Sequence, residues 1–113
     1  MEAGARSLPL WVTLQEEAEL YRRLARMERD PLKASILRLA AKILEDLGDD
    51  FYNGYLRKST LDKISEVERL LRLHNLPYLR LEKYRSLAVR LLRVVDVDPL
   101  GRSRDIIASV IGL

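Results

Sequence analysis

The chain has 113 residues, 48% hydrophobic and 33% charged, a size and balance that suit one globular domain with its own apolar core and exclude a disordered chain. Cysteine is absent, which excludes a disulfide framework, a thiolate zinc site and a cysteine nucleophile. The formal net charge of +3 is polarised: the first fifty residues hold eight basic and ten acidic side chains, whereas residues 56–93 hold ten basic against four acidic.

No apolar run approaches the roughly 18 residues of a membrane span. The start Met1-Glu2-Ala3-Gly4-Ala5-Arg6 lacks the apolar centre of a secretion signal. The expected location is therefore cytoplasmic, with no membrane partner.

In chain order, Thr13-Leu14-Gln15-Glu16 has the form of a capping box, in which a hydroxyl satisfies a free amide and a glutamate reaches back. It predicts a first helix starting at Thr13 behind an arm of residues 1–12. Leu14, Ala18, Tyr21 and Ala25 form its apolar stripe, flanked by Leu20, Leu24 and Met27. Asp30-Pro31 is a second start signal, since Asp caps free amides and Pro suits the first turn. The helix that follows carries Leu32, Ile36, Leu39, Ala40, Ile43, Leu44 and Leu47 on a wide apolar face, with Gly48 as its predicted stop.

The stretch from Asp49 to Tyr55 mixes Phe51, Tyr52 and Tyr55 with turn formers and reads as a helical turn or a packed connection. A third helix starts at Ser59-Thr60 with Leu61, Ile64, Val67, Leu70, Leu71 and Leu73 inward. Asn75-Leu76-Pro77 interrupts it near His74, as either a turn or a kink. From Tyr78, helical spacing of Leu81, Tyr84, Leu87, Ala88, Leu91, Leu92 and Val95 predicts a final long helix. Asp96 to Gly101 breaks that pattern, and Ser103 is placed to cap a short tail helix containing Ile106, Ile107, Val110 and Ile111. The expected fold is all-α: a compact bundle of four to five helices over residues 13–97, with residues 98–113 as a short helical tail.

Chemical signatures are sparse. The chain has one His and no Walker-type loop, dinucleotide fingerprint, nucleophile elbow or zincin motif, so no catalysis and no cofactor are expected. Asp46, Asp49 and Asp50 lack the oxygen-ligand ladder of an EF-hand, and Asp96 and Asp98 suit a turn; no metal site is predicted. The basic second half offers Arg57, Lys58, Arg80, Lys83 and Arg90 for phosphate contacts, since neutralising phosphates releases counterions, although helical spacing spreads these charges around the surface. Tyr21, Phe51, Tyr52 and Tyr55, together with Ile106, Ile107 and Val110 of the tail, are the candidate contacts with other protein subunits in a homo- or hetero-oligomer.

Two resemblances add to this reading. Arg69 and His74 reproduce the Arg-x4-His spacing of HEPN ribonucleases, with Leu70 where that family usually has a polar residue. The plain reading of His74 is a helix-terminal residue that interacts with nearby carbonyls. The segments Leu20-Tyr21-Arg22-Arg23-Leu24 with Glu28-Arg29, Leu47-Gly48-Asp49-Asp50-Phe51-Tyr52, and Tyr78-Leu79-Arg80-Leu81-Glu82-Lys83-Tyr84 resemble the helical domain of archaeal GINS subunits. That resemblance spans about residues 20–95 and implies a noncatalytic scaffold in a DNA replication helicase assembly. The family usually adds a small β-rich domain, for which the tail beyond Asp98 is too short.

Overall fold

The computed structural model describes residues 9–96 and shows an all-α bundle with a small strand pair. The helices are α1 (Leu10–Met27), α2 (Pro31–Asn53), α3 (Lys58–Leu73) and α4 (Leu79–Leu91), and the strands are β1 (Tyr55–Arg57) and β2 (Arg93–Val95). The predicted tail helix, with Ile106, Ile107 and Val110, lies outside the described residues.

The helices alternate in direction, as side-chain pairs show. Arg22 meets Glu45 and Trp11 meets Tyr52 between α1 and α2. Arg85 meets Glu68 between α4 and α3, and Arg80 meets Glu17 between α4 and α1. This is an up-down-up-down arrangement with short connections. Leu14, Ala18, Tyr21 and Ala25 of α1, Leu37, Leu44 and Leu47 of α2, Ile64 and Leu71 of α3, and Leu81 and Ala88 of α4 are buried in one core.

The local signals explain each boundary. Helix α1 begins at Leu10, three residues before the predicted start, because Trp11 and Leu14 extend its packing against α2; residues 10–12 are helix rather than arm. Thr13 is therefore not the N-cap: its hydroxyl lies 3.5 Å from the Pro9 carbonyl oxygen, one turn back. Asp30 caps α2 as expected, its carboxylate accepting the Leu32 amide at 3.0 Å, with Pro31 in the first turn.

Gly48 does not stop α2. A Cβ at this position would lie 3.4 Å from Leu14 Cβ and from the Trp11 carbonyl oxygen, so the missing side chain serves the close approach of α1. The helix runs on through the predicted connection to Asn53 and ends at Gly54, whose φ of 87° favours glycine. The stop was thus displaced by six residues, from one glycine to the next.

Between α3 and α4 the interruption is a turn. Asn75 adopts a φ of 60°, the Asn75 amide donates to the Arg72 carbonyl and the Leu76 amide to the Leu71 carbonyl. This is a Schellman closure with Asn in the left-handed position and Leu76 returning to the core. Pro77 then presents its carbonyl to the Tyr21 hydroxyl, which donates to it at 2.6 Å and ties α1 to the turn.

The last helix ends at Leu91, and the residues read as its final turn form β2. β2 pairs in parallel with β1, Leu56 beside Val94. Parallel strands need a long crossover, which α3 and α4 supply.

Tyr21 is fully buried, and burial pushes its phenol from 10.0 up to about 12. A raised folded value means that the stabilisation is fully present below pH 10 and is lost as pH rises through about 12. In alkaline urea titrations the native chain should lose stability across this window. Tyr21→Phe should remove most of that slope while costing about 1 kcal/mol at neutral pH through the lost bond to Pro77.

Candidate functional site

The parallel register brings the C-terminal ends of α2 and α4 to the same end of the strand pair, because each helix feeds directly into one strand. This end, the clasp, is held by one buried ion pair. Asp50, in the last turn of α2, has no exposed surface. Its carboxylate accepts the Arg57 backbone amide at 3.0 Å and Arg57 Nε at 2.6 Å. Arg57 also donates to the Asp46 carbonyl at 3.3 Å. Burial raises the Asp50 carboxyl above the ordinary aspartate value, while its bonds to Arg57 pull it back down.

Three large apolar side chains remain on the surface around this clasp. Tyr52 is 71% exposed, Leu91 58% and Val94 43%. Trp11 supports Tyr52 from below, the rings 5.6 Å apart and nearly perpendicular. Val94 is registered with Leu56, which is fully buried, so the face that β1 turns into the core is left partly open at β2. Among the described residues each strand has a single strand neighbour.

The sequence-derived contact residues are distributed unevenly over this geometry. Tyr52 stands on the surface; Phe51 and Tyr55 are half-buried, Phe51 against the core. Tyr21 is a core residue, because its stripe packs inward and its hydroxyl is engaged by Pro77; it offers nothing to a partner. The spacing of Leu91 continues the apolar stripe of α4 and so reads as core, whereas Val94 falls outside that stripe. The signal that could have found Val94 was the β-branched pair Val94-Val95.

The candidate phosphate contacts are largely engaged within the chain. Arg57 is committed to Asp50, Lys58 pairs with Asp62 at 3.3 Å, and Arg80 with Glu17 at 2.6 Å. Lys83 lies over the Tyr84 ring at 5.3 Å, and only Arg90 of the set is exposed and unpartnered. His74 is the C-cap of α3, its amide donating to the Leu70 carbonyl, and Arg69 is exposed on the preceding turn. Among the described residues no three His, Asp or Glu side chains gather as a metal site, and no helix is long and apolar enough to cross a membrane.

No family model matches the chain, and no curated protein or solved structure matches it.

Removing the guanidinium tests the clasp. Arg57→Gln leaves Asp50 buried without its counter-charge and should cost about 3 kcal/mol at neutral pH. Because loss of the guanidinium removes what pulls the buried Asp50 carboxyl down, the deficit should shrink as pH falls towards the ordinary value of 3.8 and the carboxyl protonates. Urea unfolding of both proteins across that range checks the sign.

Proposed function

We propose that this chain is a noncatalytic interaction subunit whose clasp end is covered by another protein. The observation that carries this reading is the exposure of Tyr52, Leu91 and Val94 around the strand pair. Aromatic and aliphatic side chains on a rigid, edge-supported platform are the material of interface anchors, which gain their energy when fully desolvated. An unpaired strand edge beside them adds main-chain donors and acceptors that an extended segment can take up.

The noncatalytic part of the proposal is supported by the engagement of the polar groups. The buried carboxylates Asp50 and Glu68 each take an arginine, and the single His caps a helix. The resemblance to archaeal GINS helical domains names the partner class in this reading: related subunits of a DNA replication helicase assembly. Its Leu47–Tyr52 patch falls on the last turns of α2, where the clasp is built.

A tagged chain retained from native extract at moderate salt, after nuclease treatment, is the test. Replication-helicase subunits should be recovered with the native protein and reduced at least tenfold, equivalent to about 1.4 kcal/mol, with Tyr52→Glu/Leu91→Glu. Circular dichroism should be unchanged, since both side chains are exposed. Equal recovery of those subunits with native and variant chains would reject the clasp as the contact.

A further inference from the structure

A cationic cluster also lies outside the basic second half. Between residues 22 and 42 the chain has seven basic side chains and two acidic ones, a local excess hidden by the acidic residues that flank it. The antiparallel packing of α1 and α2 folds this run back on itself. Arg22 and Arg26 stand one turn apart on α1, and Arg38 and Lys42 one turn apart on α2. All four line a cleft of 330 Å³ whose remaining wall is Ala25. Ala25 and the aliphatic stems of the four side chains make most of the cleft surface apolar, and the cationic groups supply its smaller polar part.

Three carboxylates pair directly with three of these four side chains, and Asp49 acts on Lys42 from further off. Glu19 pairs with Arg22 at 3.6 Å and with Arg26 at 3.3 Å, Glu45 with Arg22, and Asp46 with Lys42 at 2.9 Å. Arg38 has no carboxylate; its one bond is to the Ser35 hydroxyl at 3.3 Å. The two acids inside the run are engaged elsewhere, Glu28 accepting the Asp30 amide and Asp30 the Leu32 amide. Arg29 and Lys33, which flank the same turn, have no ion pair among the described residues.

We propose that this cleft binds a chain of phosphates. Guanidinium groups present forked donors that match phosphate oxygens in pairs, and the cleft has the volume of a small-ligand site, at the low end of about 300–1,000 Å³. The carboxylates on its rim disfavour a singly charged anion, which gains too little from Arg38 alone. A multiply charged one reaches Arg26, Arg38 and Lys42 together. Such a ligand is either a free polyphosphate group or the successive phosphates of a nucleic-acid backbone.

Calorimetric titration of the full chain with inorganic tripolyphosphate at low salt should saturate at one site. Arg26→Gln/Arg38→Gln should weaken that binding at least tenfold, about the loss of one charge-assisted contact, with helicity unchanged. Lys63→Gln/Arg69→Gln, which removes two exposed charges from α3, should leave it within about twofold, since removal of charges outside the site acts only through screened long-range potential. Absence of saturable binding, or equal weakening by both variants, would overturn the site in favour of diffuse surface charge. A nucleoside triphosphate that displaces tripolyphosphate identifies a free phosphate chain. A single-stranded oligonucleotide displaced by tripolyphosphate and weakened by the same α1–α2 variant identifies a backbone.

Discussion

Asp50 is a carboxylate with no exposed surface, and the second half of the bundle hangs from it. Taking such a group out of water costs several kcal/mol unless its oxygens are fully engaged. Here the engagement comes from the residue seven positions on, Arg57, through its backbone amide and guanidinium. Satisfying the carboxylate therefore fixes where β1 leaves α2 and how α3 begins. Arg57 also serves as the residue before α3, whose N-cap has no side-chain bond of its own. One ion pair thus stands in for a capping interaction and positions a strand.

From that junction the rest follows as closure of polar and apolar surface together. β1 places Leu56 in the core and offers its edge to β2, which draws the end of α4 back beside the end of α2. At the opposite turn, the Schellman closure around Asn75 points the Pro77 carbonyl at Tyr21. Glu68 and Arg85 join α3 to α4 by a second buried pair. Among the described residues no buried side-chain polar atom lacks a partner, which is what a dry helical core requires. The cost of this arrangement appears at the clasp, where a short strand pair cannot cover Tyr52, Leu91 and Val94. That remaining surface underlies the proposed partner contact.

Charge was redistributed as thoroughly as apolar surface. Summed by halves, the sequence points to a basic second half, yet Arg57, Lys58 and Arg80 spend their charge on neighbouring carboxylates. The first half, acidic on balance, contains the α1–α2 hairpin in which four cationic side chains converge on one cleft, three of them also paired with carboxylates and Arg38 with none. Linear charge sums average over distances that folding removes, and ion pairing between helices is decided by packing angle and register.

By itself the sequence determined the all-α class, since apolar spacing of 3.6 residues over long segments has no other economical burial. It also determined the α2 start, where Asp30 and Pro31 act on their own local backbone, and the core stripe Leu14, Ala18, Tyr21 and Ala25. Tertiary structure decided what depended on distant partners. Gly48 and Gly54 look alike in sequence, but only the approach of Leu14 and Trp11 makes the first a packing glycine and leaves the second to end the helix. Val94 and Val95 fit either a helix or a strand until β1 supplies a ladder. Tyr21 and Tyr52 are both tyrosines on amphipathic helices, and which one faces solvent was fixed by the neighbour each helix found. Local backbone preferences are written in a few adjacent residues; burial, pairing and charge convergence depend on residues brought together only by the fold.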